Sequence, residues 1–223
     1  MKILDIPQSG KEGLHVSMAG RCGQSRRALV IPANPRTPGQ RAVRQHFAAA
    51  AEAWRGITED QRVAWNTLAK TRQSRSRLGQ SGPLSGLQLF VQVNASLALV
   101  GGDQVTDPPA LPDFPDLAVT GLTATNNNGA FHLSAACPAS PGERTLLRAS
   151  PPMSAGRFAC NDYRFIGVCP TPAQGAADLT SLYVAKFGKA PVGTKVFLRA
   201  NQLVSGFEDV PSAFCAIVTA GGS

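Results

Sequence analysis

Asn34-Pro35-Arg36-Thr37-Pro38-Gly39-Gln40 is the stretch on which the reading of this chain turns, because it separates a basic, extended leader from a pair of helices. Thr37 followed by Pro38 marks a helix start. A threonine hydroxyl can accept from unbonded backbone N–H groups, and proline suits the first helical position, where an N–H would have no partner. Val43, Phe47, Ala50 and Trp54 follow at spacings of four, three and four, which puts them on one helix face. Gly56 closes the run. Thr58, with Gln61 three residues on, reads as a capping box opening a second helix. Trp65, Leu68 and Ala69 continue its apolar face. Two helices joined so tightly form an antiparallel or steeply angled hairpin. Trp54 and Trp65 are the only tryptophans in the chain. At helical spacing their expected role is to cement this hairpin rather than to stack on a ligand.

Upstream, Leu14–Ala19 and Ala28–Ile31 are short β-like runs on either side of Arg21-Cys22-Gly23-Gln24, a pattern that predicts a hairpin. It has too few apolar residues to be stable alone, so it must lean on something else. Residues 1–12 are polar and are expected to be loosely held. Downstream, Thr71–Arg77 and Leu78–Pro83 predict a basic, flexible loop. Ser85 opens a third helix with a stripe of Leu87, Phe90, Val91, Asn94, Leu97 and Ala98, ending at Gly101-Gly102. A strand over Leu87–Val93 is the alternative, since those residues also alternate. Asp107-Pro108-Pro109-Ala110-Leu111-Pro112-Asp113-Phe114-Pro115 is proline-rich, and such segments are stiff and extended. It predicts a linker.

Beyond the linker the pattern changes to short strands. They are expected at Leu117–Thr125, Ala130–Ala136 (across an Asn126–Gly129 turn), Arg144–Ala149, Tyr163–Val168, Ser181–Phe187, Lys195–Leu203 and Ala213–Thr219. A short helix over Ala176–Lys186 is the alternative to the fifth. Seven strands between Pro/Gly turns predict an immunoglobulin-like sandwich. It lacks the buried tryptophan and cysteine pair of antibody domains, so the fibronectin type III kind is the better likeness. The predicted class is α+β. A basic arm or β-hairpin covers 1–36, a helical module 37–102, a linker 103–116 and the sandwich 117–223.

Charge divides the same way. Residues 1–100 carry 14 Lys+Arg against 5 Asp+Glu, whereas 101–223 carry 8 against 9. The basic half attracts acidic surfaces or nucleic acid. Arg21, Arg26, Arg27, Arg36, Arg41, Arg44, Arg72, Arg75 and Arg77 are its candidate interaction residues, because the forked guanidinium suits carboxylate and phosphate alike. Glycine and proline together number 39 (22 + 17), which favours turns and arms over a large bundle. No apolar run is long enough to span a membrane, and no secretory signal precedes Gly10.

The five cysteines, Cys22, Cys137, Cys160, Cys169 and Cys215, contain no CxxC pair and read mostly as buried small hydrophobes. A Cys160–Cys169 bridge across a hairpin is the alternative for that pair. His15, His46 and His132 have no partner spaced as a metal ligand. No metal and no cofactor is expected. No GxSxG, P-loop, HExxH or dinucleotide fingerprint occurs. Glu52, Glu59 and Asp60 fall on the exposed side of the helices, and no carboxylate is paired with a histidine in sequence. The chain does not read as an enzyme.

Three motifs, Asn-Pro-Arg-Thr-Pro-x-Gln (34–40), Ala-Trp-Arg-Gly-Ile-Thr-x-x-Gln-Arg-x-Ala-Trp-Asn (53–66) and Gly-x-x-Leu-Phe-Val-x-Val-Asn (86–94), resemble those of a family of uncharacterised bacterial and phage proteins. Ala149–Gly156, Leu182–Gly188 and Lys195–Arg199 extend the resemblance through most of the chain. It implies a helical module plus a sandwich, in a setting compatible with phage particles, and brings no catalytic residues. The expectation is a non-enzymatic structural protein of a phage virion, a capsid decoration or tail-associated subunit assembled in the bacterial cytoplasm. Its partners would be subunits of the same assembly, as a homo-oligomer or on a particle, with non-specific nucleic acid possible and no membrane. A nucleic-acid-binding protein is the first alternative, although aromatic residues do not interleave with the arginines as single-strand stacking requires. A bacterial surface or interaction module is the second.

Overall fold

A computed structural model of the chain describes residues 9–20, 23–74, 82–114, 116–117, 119–137 and 144–220. Helices and antiparallel sheets are both present, so the class is α+β. Two compact units result: Met1–Val91 with Thr106–Pro108, and Gln92–Val105 with Pro109–Ser223. The division falls after Val91, inside the third helix, where the sequence places a linker over 103–116.

The first unit opens with a three-stranded antiparallel sheet in the order β1 (Gly10–Glu12), β2 (His15–Gly20), β3 (Gly23–Ala28). Two expectations change here. Residues 10–12 are not loose; they pair with Ser17, Val16 and His15. The third strand lies over Gly23–Ala28 rather than Ala28–Ile31, because pairing continues to Gly20↔Gly23 and takes the polar Gln24–Arg27 into the ladder.

Helix α1 runs Pro38–Gly56. Pro38 sits at its start and Thr37 Oγ1 accepts from the Gln40 N–H at 3.3 Å. Helix α2 (Glu59–Ala69) carries the full capping box. The Gln61 N–H donates to Thr58 Oγ1 (3.3 Å) and the Thr58 N–H to Gln61 Oε1 (2.9 Å). Ser85 and Gln88 repeat the device at the head of α3 (Gly86–Leu99), with bonds of 3.3 and 2.9 Å. Satisfying orphan N–H groups in this way is why residues 87–93 form a helix and not a strand. Phe90, fully buried, meets the edges of both Trp54 (5.3 Å between centroids) and Trp65 (5.2 Å). The tryptophans do cement the helices, through this third ring. Such edge-to-face pairs contribute roughly 0.5–1.5 kcal/mol each beyond their buried area. The Trp65 indole N–H donates to the Thr106 carbonyl at 2.7 Å and the Gln61 amide to Asp107 at 3.0 Å, so the head of the predicted linker is fastened to α2.

In the second unit β4 (Gly121–Asn127), β5 (Ala130–Ala136) and β9 (Ala176–Asp178) form one sheet, ordered β4-β5-β9. Asn128 and Gly129 both have positive φ (46° and 89°), as a two-residue type I′ turn between β4 and β5 demands. The second sheet runs β11 (Phe207–Glu208), β10 (Thr194–Val204), β6 (Arg144–Ala149), β8 (Arg164–Val168). β12 (Ser212–Ile217) and β7 (Met153–Ser154) also pair with β10. Alternation assigns the faces. Phe131, Leu133 and Ala135 of β5 and Leu147, Ala149, Val196, Leu198 and Ala200 of the second sheet meet in one core.

The fifth predicted strand is not a strand. Thr180–Phe187 forms helix α4, the alternative reading, and seats Tyr183 fully buried in that core. The Tyr183 hydroxyl donates to the Ser150 carbonyl at 3.1 Å, which makes its burial tolerable. Glu208 closes β11 and takes a paired bond from Arg148 (3.0 and 3.2 Å), with Asn201 and Ser96 adding further donors. At the adjoining β10–β11 turn Gly206 (φ 84°) lies so close to α3 that a Cβ would stand 2.5 Å from Val93 Cγ1. A side chain there would displace the helix.

Candidate interaction surface

From Gly13 to Ala51 the chain carries six arginines and no Asp or Glu. The structure shows what that stretch does with its apolar residues. The stripe predicted on α1 is buried only at its C-terminal end, where Ala50 is covered and Trp54 is half-covered. Val43 and Phe47 remain 62% and 59% exposed. Leu14, Met18, Val30 and Ile31 are exposed too, Ile31 at 86%. The spacing of Val43 and Phe47 therefore marks an apolar face correctly but does not place it in the core of the unit.

The arginines fall into three kinds. Arg26 reaches Glu12 at 3.5 Å and Ser17 at 3.3 Å across the small sheet. Arg44 donates to Asn34 Oδ1 at 3.0 Å, which ties the Asn34–Gln40 approach to the second turn of α1. The guanidinium groups of Arg27, Arg36 and Arg41 are exposed and have no carboxylate partner among the described residues. Arg36 sits at positive φ (50°), a conformation few arginines adopt, immediately before the cap. Arg72 is half-buried at the base of the 72–84 segment, where the Leu84 N–H donates to its carbonyl (3.0 Å) and Gln73 bridges Pro83. Arg21, Arg75, Arg77 and Cys22 lie outside the described residues. The six described arginines thus mark several local settings, and Arg27, Arg36 and Arg41 are those without a carboxylate among the described residues.

Guanidinium groups without a carboxylate among the described residues, close in sequence to exposed apolar side chains, are chemically suited to a protein surface that is itself acidic and apolar. Arginine is the weakly hydrated cation favoured at such contacts. Phosphate alone would use the arginines and leave Val43, Phe47 and Ile31 in water.

In the second unit the structure joins residues that are remote in sequence. Asp178 Oδ1 lies 3.5 Å from His132 Nδ1, and the same nitrogen is 2.7 Å from Thr180 Oγ1. Ser134 stands opposite Asp178 in the β5–β9 ladder, and an open cavity of about 320 Å³ adjoins His132, Ser134 and Asp178. The Ser134 hydroxyl lies 2.7 Å from the Thr123 hydroxyl. Asp178 accepts from the Thr180 N–H (2.9 Å) at the start of α4. The Thr180 bonds, and secondarily His132, hold its carboxyl below the usual carboxylate range.

Cys137, Cys160 and Cys169 are buried, as small hydrophobes would be, and the alternative Cys160–Cys169 bridge does not form. Cys160 donates to the Asp162 carbonyl at 3.4 Å, while the Cys169 thiol contacts Cys137 in the core between the sheets. Burial, with Cys137 beside it, pushes the Cys169 thiol up to about 11. Cys137, Cys160, Cys169 and Cys215 are all free thiols.

No family model and no curated protein matches this sequence. Among solved structures, the chain is similar to a Fn3-like protein from Clostridium thermocellum, at 13% identity over 48% of this chain and 100% of that one. The TM-score of 0.29 is too low to establish a shared fold. Among the described residues no group of three or more His, Cys, Asp or Glu could hold a metal ion, and no helix is long and apolar enough to cross a membrane.

Proposed function

We propose that this protein is a non-enzymatic assembly protein, a phage virion component such as a capsid decoration or tail-associated subunit. It docks through the basic, apolar surface of its first unit onto an acidic, apolar surface of a neighbouring subunit. The observation that carries the reading is the coincidence of exposed Val43, Phe47 and Ile31 with partnerless Arg27, Arg36 and Arg41 in a stretch devoid of acidic residues. A helix of 19 residues with Ala50 as its buried residue gains little from its own unit. Tertiary packing is what ordinarily stabilises a helix in water, and a docked neighbour would supply it. In this reading the second unit is an immunoglobulin-like sandwich of the fibronectin type III kind in which α4 replaces one strand. The two sheets sharing one core support that assignment.

Fractionation of particles from producing cells tests the function. The protein is expected in the capsid or tail fraction, and Phe47→Glu combined with Arg41→Glu should shift it to the unassembled pool. Recovery of the unmodified protein solely as a free monomer would overturn the reading. Filter binding to DNA across a salt series separates the nucleic-acid alternative, for which affinity would fall steeply with salt.

A further inference from the structure

In the second unit, the face of the large sheet turned away from its core holds a cavity of about 230 Å³ whose walls include Phe158, Tyr163, Phe197, Phe214 and Cys215. Arg199 is its one ionised side chain. The guanidinium carbon lies 4.0 Å from the centroid of the Tyr163 ring, a cation–π contact that holds the guanidinium beside the ring. The ladder places Arg199 directly opposite Arg148, so two like charges share one face of the β6–β10 pair. Such a pair is unfavourable unless each charge is compensated. Arg148 has its compensation, since both Glu208 carboxylate oxygens accept from its Nη2, at 3.0 and 3.2 Å. Arg199 has no carboxylate among the described residues. At the rim Phe158 is 97% exposed, the most exposed large apolar side chain described. Burial raises the Tyr163 hydroxyl above its ordinary range, so this wall stays neutral at physiological pH.

We propose that this cavity binds a carboxylate carried on an aromatic or branched apolar group, with the carboxylate on Arg199 and the apolar group against Phe158 and Phe197. The volume suits one residue-sized group, being below the ~300–1,000 Å³ of drug-sized sites. A free aromatic acid and the C-terminal residue of a peptide present the same chemistry. The site belongs to the second unit alone and stands or falls independently of docking by the first.

Titration of the full chain with phenylacetate, and separately with a pentapeptide ending in phenylalanine, followed by backbone amide NMR, tests the proposal. Saturable shifts centred on Phe158, Tyr163 and Arg199 are expected with at least one of the two. Binding of the acid alone would indicate a small-molecule site, and binding of the peptide alone a chain terminus. The matching amides should bind ~10-fold or more weakly, the loss expected for one charge-assisted contact. Arg199→Gln should remove that preference for the acid. Phe158→Ala, at a residue too exposed to affect folding, should weaken both forms alike. No saturable shift with either probe, or equal affinity for acid and amide, would overturn the proposal.

Discussion

Helix α1 and strand β10 make an instructive pair. α1 has 19 residues and an apolar stripe, yet Ala50 is its buried residue. β10 has 11 residues and buries Val196, Phe197, Leu198, Ala200, Asn201, Gln202 and Leu203. Both sequences carry apolar residues at the right period. The difference is that β10 is covered on both faces, by the shared core on one and by neighbouring segments on the other, whereas among the described residues Val43 and Phe47 in the N-terminal half of α1 stay exposed. Amphipathic pattern announces a surface that needs cover. It does not say which body provides it.

That contrast can be broken or sharpened by substitution. The largest effect is expected from Leu147→Ala in the second unit. The side chain is fully buried between the sheets, and truncation at such sites costs about 2–5 kcal/mol. Denaturant unfolding should show a lowered midpoint at unchanged slope. Next comes Glu208→Ala, which strips Arg148, Asn201 and Ser96 of their shared acceptor. The pair is just over a quarter exposed, so solvent screening holds the loss to about 1–2 kcal/mol, below that for a fully buried pair. Reversion of the cost by Glu208→Gln would show that the hydrogen bonds, not the charge, carry it.

Thr58→Ala removes one side of the capping box of α2 and should cost about 1 kcal/mol, read as reduced helical signal and thermal midpoint. Phe47→Ala should change the stability of the isolated protein by no more than about 0.5 kcal/mol, as for surface positions generally. A loss comparable to that of Leu147→Ala would show that α1 is packed after all and would remove the basis for the docking surface. The smallest effect concerns pH. The Asp178 carboxyl is lowered in the folded state, so its contribution is present above the unfolded carboxylate range and lost as pH falls through the folded value. Asp178→Asn should therefore lower stability slightly near neutrality, leave it unchanged at the acid end and so flatten the acid limb of the profile, as equilibrium unfolding across an acidic pH series would show.

Local chemistry was legible from residue order alone. The Thr37–Pro38 start, the Thr58–Gln61 box, the helix start at Ser85 and the turn within Asn126–Gly129 are decided by side chains within four positions of the backbone they satisfy. The choice of helix over strand at Thr180–Phe187 was not legible. Its residues fit either period, and the core between the sheets settled it by accepting Tyr183 from a helix. The candidate surface divides in the same way. Its basic composition can be counted, but the separation of paired Arg26 and Arg44 from partnerless Arg27, Arg36 and Arg41 cannot.

What residue order determined, then, is where the chain caps, turns and alternates, since those preferences act over a few ångströms along the backbone. Contacts distant in sequence decided the rest: that Val43 and Phe47 stay in solvent, that Asp178 meets His132, that Cys169 lies against Cys137, and that Arg148 takes Glu208 while Arg199, on the same face, takes none. Burial and charge compensation depend on which surfaces meet, and no local pattern contains that.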